Sequence, residues 1–321
     1  MHIFFLNVPY APRSQVRGGC TIVLDHIRIL NSHGMPASAV TGADPGTPLP
    51  ALTEPYISTE QFFAAFDPRV DLLVLTEGRT PEIFVLPGRK VILNQQPAYG
   101  FLAIHHCAPL PYNDESVLAT IVVSEESRAL YQYAFPEARI YRVYNAVDPS
   151  LFEFRRVGDK RAKFAMVAKN LAQLKFLLSV LNARVVQGLG PLAEYDFVLL
   201  DGLTRAEVAR ELTQSLGIIS LSMVEGHSLL LLEAMLSGTV VLGIRTSFLD
   251  EFLTSANSLM VDAGDIRALA HNIETVASGH MTGDARLAEI AATARASALD
   301  YSRRRQTDSV LATWRDIVAL Y

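Results

Sequence analysis

Cysteine is scarce in this sequence. There are two, Cys20 and Cys107, far apart and not in a C-x-x-C spacing. That argues against a disulfide framework or a cysteine-built zinc site, and it fits a reducing compartment. Positive charge is not in surplus either. With 28 Lys+Arg against 33 Asp+Glu, the formal net charge is -5 and the pI about 5.9. A nucleic-acid-binding protein usually presents a basic face, so no nucleic-acid partner is expected. No apolar run reaches the roughly 18 residues that a membrane-spanning helix needs. The opening "MHIFFLNVPYAPR" has no basic segment before its apolar run and reads as a first strand, not a signal peptide. A soluble, cytoplasmic protein is the expectation. Several catalytic motifs are missing as well. No G-x-G-x-x-G follows the first strand, which argues against a nicotinamide dehydrogenase. No G-x-S-x-G elbow appears, which argues against a serine hydrolase. No D-x-D stands between a strand and a loop, so no metal site is expected.

What is present is apolar. Half of the 321 residues are hydrophobic and 19% are charged, enough for a large core and for two domains. Short apolar runs alternate with helical patterns. Ile3–Val8, Ala37–Gly42, Asp71–Gly78, Lys90–Gln95, Ala119–Glu125 and Ala138–Asn145 read as strands. Gly18–Gly34 and Glu126–Phe135 read as helices. The proline-rich Ala43–Pro55 reads as a loop. A polar, charged stretch, Arg155–Arg161, interrupts the pattern, which then restarts. Strands are expected at Lys163–Lys169, Asp196–Leu200, Leu216–Ser222, Thr239–Gly243 and Ser258–Ala263, with a helix from about Asn170 to Asn182. The tail from Asp265 reads as three helices. Continuous apolar strands separated by helices indicate βαβ units, hence an α/β fold with parallel sheets. The expected division is residues 1–155, residues 156–300 and a last helix over 301–321.

One stretch poses a chemical question: "SMVEGHSLLLLEAMLSGTVVLG", Ser222–Gly243. Ser222 ends a predicted strand, Glu225, Gly226 and His227 form a turn, and Ser228 is placed to cap a helix over Leu229–Ser237 that Gly238 would stop. Ligands of open α/β sheets bind beyond the carboxyl ends of the strands, where a helix N-terminus favours anions. The N–H groups near Gly226–Leu230 are therefore a candidate phosphate site. Glu233 lies in the second turn among Leu229–Leu232, Ala234 and Met235. A carboxylate there is costly without partners; those partners are sugar hydroxyls or a nearby Arg or Lys. Glu225 converges with Glu233 only from the loop.

The same stretch resembles the signature of the retaining glycosyltransferases of family 4, which runs roughly S-x-x-E-G-x-x-x-x-x-x-E-A-M-x-x-G-x-x-V. Ser222, Glu225, Gly226, Glu233, Ala234, Met235, Gly238 and Val241 match it. Residues 17–42 are similar to the family's N-terminal glycine turn and first helix, with Gly18 and Gly19 as the turn. Val143–Phe152 is similar to its N-G-V-D segment, and residues 246–273 to the segment after the signature. The resemblance covers most of the chain and is strongest over residues 160–280.

It implies two Rossmann-like domains facing a cleft, the arrangement called GT-B, with a C-terminal helix crossing back to the first domain. By resemblance, Glu233 binds the ribose of a UDP- or GDP-sugar, and Glu225 contacts the donor sugar or orients the phosphate-side chemistry. The backbone through Gly226, His227, Ser228 and Leu229 holds the diphosphate. Lys169 and Lys175 stand nearest to the basic pair that neutralises the leaving group, a sensible use of ammonium charge. The acceptor, a sugar, a lipid-linked molecule or a small molecule, falls near Gly18, Gly19, Asn94, Gln95, His105 and His106. The resemblance implies no cofactor beyond the nucleotide-sugar co-substrate. The sequence departs from the pattern at His227 and Ser228, where the family has phenylalanine and glycine, at Ala168–Lys169 in place of G-R, and at Ala146. Asn94, Gln95 and Gln96 stand where a histidine is common; amides hydrogen-bond a sugar but do not shuttle a proton. Basic clusters at Arg155–Lys163 and Ser302–Gln306 admit peripheral contact with the inner face of a membrane. A nucleotide-sugar epimerase or phosphorylase on the same architecture, and a degenerate member that binds without catalysis, remain alternatives.

Overall fold

The structure, a computed structural model, describes residues 1–6, 18–42, 55–167, 171–223 and 225–321. The chain divides into two compact units, Met1–Asn145 with Arg303–Tyr321, and Ala146–Ser302. The charged stretch 155–161 lies inside the second unit, where Val157–Asp159 forms a 3-10 turn.

The first unit runs β1 (Ile3–Phe5), α1 (Gly18–Ser32), β2 (Ala37–Thr41), β3 (Tyr56–Ser58), α2 (Thr59–Ala65), β4 (Leu72–Thr76), β5 (Arg89–Asn94), α3 (Pro97–Ala103), β6 (Val117–Val122), α4 (Glu125–Ala134) and β7 (Ile140–Arg142). Its seven strands are all parallel, in the order β3-β2-β1-β4-β5-β6-β7. Side chains alternate across a strand, so each apolar strand feeds two cores. Ile3, Phe5, Leu72, Val74, Val91 and Leu93 face one way, where they meet Val23, Ile27 and Leu30 of α1. Phe4, Leu6, Leu73, Leu75 and Ile92 face the other way, toward Tyr112, Tyr131 and Phe135. Burial on both faces is why these strands read as unbroken apolar runs.

The C-terminal helix, Arg303–Val318, belongs to the first core. Val310, Leu311, Trp314 and Ile317 are buried with α1 and the strands. The Trp314 indole Nε1 donates to His26 Nδ1 at 3.2 Å, and Gln306 donates to Asp25 at 3.3 Å. Burial holds His26 down at about 4, so the neutral ring accepts from the indole. The unfolded chain takes up that proton at about 6.5. His26 therefore contributes stability that is complete above about pH 6.5 and is lost as the pH falls through about 4, a span of about 3 kcal/mol. Trp314 is the single tryptophan, so its fluorescence reports this joint. We expect the acid midpoint of that signal to shift to lower pH in His26→Phe; an unchanged midpoint would clear His26 of the role.

Three elements differ from the sequence reading. β3 and α2 follow directly after the proline-rich segment, of which residues 43–54 lie outside the described residues. A three-residue strand is too short for periodicity to show, although the Ser58/Gln61 capping box that starts α2 is legible. α3 was hidden by Gly100 in its middle. A Cβ on Gly100 would lie 2.0 Å from the Tyr131 hydroxyl and 2.3 Å from Asn94 Nδ2, so tertiary packing demands the glycine that weakens the helical pattern. Gly18 and Gly19 open α1 rather than forming a turn ahead of it.

The second unit runs β8 (Arg161–Val167), α5 (Leu171–Val186), β9 (Asp196–Leu199), α6 (Arg205–Gln214), β10 (Ser215–Ser220), α7 (Leu229–Leu236), β11 (Val240–Ile244), β12 (Leu259–Val261), α8 (Ile266–Thr282) and α9 (Ala285–Leu299). The C-terminal helix is then α10. The five strands are parallel, in the order β12-β11-β10-β8-β9. Phe164, Ile219, Leu242 and Ile273 are among the buried residues of its core.

Candidate active-site elements

In the second unit, β10 is the central strand and all six of its residues are buried. The chain leaves its carboxyl end through Ser222, and the loop Glu225–Ser228 leads into α7. An eight-residue helix with leucine on every side has no solvent face, and Leu231–Leu236 are all buried. Gly238 ends it with φ +72; a Cβ there would lie 2.6 Å from the Arg155 carbonyl oxygen. Ser228 occupies the N-cap, but its side chain accepts no N–H from the helix. The expected position is met and the expected hydrogen bond is not, so the first N–H groups of α7 keep their donor capacity.

Glu233 is 6% exposed. Its Oε1 lies 2.8 Å from the guanidinium of Arg205, the first residue of α6. Burial pushes its carboxyl up to about 7, against the pull of Arg205. Arg205 also lies 5.6 Å over the Phe152 ring. It lines a cavity of about 620 Å³ with Ser150, Glu153, Arg155 and Arg210. Nothing in the sequence pattern singled out Arg205; the Thr204/Glu207 capping box beside it marks only a helix start. Glu225 is half-buried, Gly226 and His227 are buried, and Ser228 and Leu229 are half-buried. The His227 ring packs between Tyr301 and Phe252, with centroids at 5.1 and 5.4 Å, which explains an aromatic-sized residue in that slot. Lys175 is exposed on α5, away from the core-facing Leu174, Leu177 and Leu181. Lys169 and Ala168 lie outside the described residues.

In the first unit, strand order reverses between β1 and β4, the switch point where doubly wound sheets bind ligands. Glu77, directly after β4, is half-buried there. Its Oε2 accepts the backbone N–H of Gln95 at 3.2 Å. Burial raises its carboxyl, against the pull of the Gln95 and Gln96 N–H groups. The Gln95 side-chain oxygen is buried with no hydrogen-bond partner among the described residues, and a Cβ on Gly19 would come within 3.1 Å of it. Gly19, Gln95 and Glu77 therefore stand together. Glu77 was missed because a lone carboxylate ending an apolar strand carries no spacing signal.

Asn94 is fully buried, and its Nδ2 donates to the hydroxyls of Tyr131 at 2.6 Å and Tyr112 at 3.2 Å. As the last residue of β5 its side chain alternates into the core, where the tyrosines hold its amide nitrogen and its Oδ1 has no hydrogen-bond partner among the described residues. Gln96 caps α3 by accepting the Ala98 N–H at 3.2 Å. His105 and His106 are exposed beyond α3, with ring centroids 4.5 Å apart. Among the described residues, no group of His, Cys, Asp and Glu is arranged to hold a metal ion, and no helix is long and apolar enough to cross a membrane.

No family model matches the chain. An alpha-1,6-glucosyltransferase of Actinobacillus pleuropneumoniae serotype 7 is 23% identical over 235 residues, covering 70% of this chain and 68% of that protein. Among solved structures, sucrose-phosphate synthase from Thermosynechococcus elongatus aligns over all of both chains with a TM-score of 0.70 and 13% identity. HepE of Anabaena, solved with UDP, aligns over 98% of this chain and 100% of its own, with a TM-score of 0.68 and 14% identity. The chain spans only 55% of S. aureus TarM, at 17% identity and a TM-score of 0.56. What the chain shares with these glycosyltransferases is the GT-B fold, with a parallel sheet in each of two α/β units and a helical C-terminal end.

Proposed function

We propose that the chain is a retaining glycosyltransferase, similar to family 4, that moves a sugar from a UDP- or GDP-sugar to a hydroxyl of a sugar, lipid-linked or small-molecule acceptor. The observation that carries this reading is Glu233. It is a carboxylate embedded in an otherwise apolar helix, one turn from a helix N-terminus beyond the carboxyl end of the central strand. An arrangement so costly to folding makes sense where hydroxyl donors arrive with a ligand. The 23% identity to a glucosyltransferase supports the same reading, as does the fold shared with HepE, which has been solved with UDP-glucose.

In this reading Glu233 accepts the ribose hydroxyls. The N–H groups from Gly226 to Leu229 face the diphosphate, whose negative charge grows as the glycosidic bond breaks, and their fixed dipoles stabilise that growth. Glu225 orients the donor sugar. Lys169 and Lys175 supply counter-charge to the leaving group. The acceptor hydroxyl is received by the first unit through Gly18, Gly19, Gln95 and Glu77, with His105 and His106 at the outer edge. In this reading no metal ion takes part.

Thermal unfolding against a panel of nucleotides and nucleotide-sugars tests the reading. A ligand at about 100 times its dissociation constant adds roughly 2.7 kcal/mol, which moves the midpoint by several degrees. We expect a shift with the diphosphates of one base, absent in Glu233→Gln. If no nucleotide moves the midpoint, the chain is not a nucleotide-sugar enzyme.

A further inference from the structure

The mechanism above leaves Arg205 without a role, yet it is the charged group that touches Glu233. The elements packed on α7 are α6, α9 and β11. From α9, Arg295 donates to the carbonyl of Leu236, at 2.6 Å. Lys160 is bound to the carbonyl of Ser237, at 3.0 Å. β11, Val240–Ile244, carries no titratable side chain. His227, in the loop ahead of α7, packs its ring on Phe252 and Tyr301. That leaves Arg205, on α6, at 2.8 Å.

The placement is specific. Glu233's side chain is 8% exposed, whereas that of Arg205 is 41% exposed and stands at the wall of the cavity shared with Arg155, Arg210 and Glu153. One partner is inside the protein and the other at its surface. A carboxylate has about four acceptor positions and a protonated carboxyl has fewer, with a donor added. A ribose diol presents two O–H donors, so it needs the ionised form with lone pairs left over. A single contact from Arg205 to Oε1 supplies charge while leaving those lone pairs in place.

Resting on the reading of Glu233 as the ribose acceptor, we infer that Arg205 is a positioning residue for the donor: it holds the buried Glu233 carboxylate ionised and oriented to accept two hydroxyls. Arg205 touches the diol through Glu233, not directly. Its contribution is to extend the pH range over which a diol is held. Without it, burial alone governs Glu233 and the carboxyl protonates at higher pH.

Two measurements test this on the full chain. The first is a titration of UDP, with GDP as the second probe, from about pH 6 to about pH 9. It compares the wild type, Arg205→Met, Arg205→Lys and, as reference, Glu233→Gln. We expect Arg205→Met to weaken UDP about fivefold near pH 7, since a rise of about one pH unit in the proton equilibrium of a carboxyl already near 7 cuts the ionised fraction from about one half to about one tenth, and to recover toward pH 9. Arg205→Lys should restore the wild-type profile, and Glu233→Gln should be weak at every pH. The second is a carbon-13 NMR titration of the Glu233 carboxyl, assigned by its loss in Glu233→Gln, which needs no nucleotide. It should titrate at higher pH in Arg205→Met than in the wild type. An Arg205→Met loss that is uniform across pH, or an unmoved carboxyl titration, overturns the inference. If the wild type holds neither UDP nor GDP, the functional reading has failed, and the carboxyl titration alone decides whether Arg205 governs Glu233.

Discussion

Glu233→Ala is expected to weaken nucleotide-sugar binding by at least about a hundredfold, since each hydrogen bond to a charged group is worth roughly 1.5 to 3 kcal/mol and two are lost. The unliganded protein should not suffer in proportion. Removing Glu233 leaves no charge stranded inside, because Arg205 is 41% exposed at its side chain and stays hydrated. An apolar replacement also removes the desolvation cost of a carboxyl buried in the middle of α7. Glu233→Leu should therefore melt at the wild-type temperature or about 2 °C above it while binding no donor. Glu225→Ala should behave differently, lowering kcat more than it raises KM, since the proposed role sets this loop carboxylate against the donor sugar at the reacting centre. Isothermal titration, calorimetric melting and steady-state kinetics on the three variants check this together. Wild-type affinity in Glu233→Ala would remove the residue from the site, and a large drop in melting temperature for Glu233→Leu would mark it as structural.

Lys160→Met should show the opposite pattern, a large loss of stability with no chemistry at stake. Lys160 is 5% exposed, and its ammonium donates to the carbonyls of Leu212 (3.3 Å), Thr213 (3.1 Å) and Ser237 (3.0 Å) and to the Thr239 hydroxyl (3.0 Å). These oxygens lie at the carboxyl ends of α6 and α7, where the helix dipoles favour a cation. Burial, with Arg155 nearby, pulls Lys160 down to about 7, so the oxygens only partly offset its desolvation. Methionine fills the stem's volume but removes the ammonium from all three carbonyls; Leu212 keeps the Thr239 hydroxyl at 2.6 Å and Ser237 keeps the Arg155 N–H at 3.1 Å, so the loss falls hardest on Thr213. Removing one partner of a buried charged cluster costs about 3 to 5 kcal/mol, which corresponds to a fall of roughly 10 °C in the midpoint. α7 is tied to this cluster through Ser237, so nucleotide affinity should fall only as far as the variant is unfolded. A Lys160→Met protein that melts within about 1 °C of wild type would show that water replaces the ammonium at no cost.

Much of this molecule is legible in its sequence because burial on both faces makes a strand an unbroken apolar run. Leu72–Thr76, Arg89–Asn94, Val117–Val122 and Val240–Ile244 are visible for that reason, and with them the α/β class. The turn and helix carrying Glu225 and Glu233 are visible because a carboxylate in a leucine-rich helix breaks its own local pattern. What stays hidden depends on distance along the chain. β3 is an edge strand of three residues, below the length at which periodicity speaks. α3 carries Gly100 because Tyr131, in α4, leaves no room for a Cβ. Asn94 belongs to the core because two tyrosines from other elements converge on it.

The candidate site divides the same way. Local order in the sequence determined that a loop with Glu225 precedes a helix with Glu233, since strand, turn and helix are set by neighbouring residues and by apolar periodicity. Only the tertiary structure decided that Glu233 meets Arg205, that Glu77 holds the Gln95 backbone beside Gly19, and that Lys160 joins the ends of two helices. Those contacts are set by which elements the parallel sheets bring side by side, and crossover connections in a parallel sheet place neighbours in space far apart in sequence.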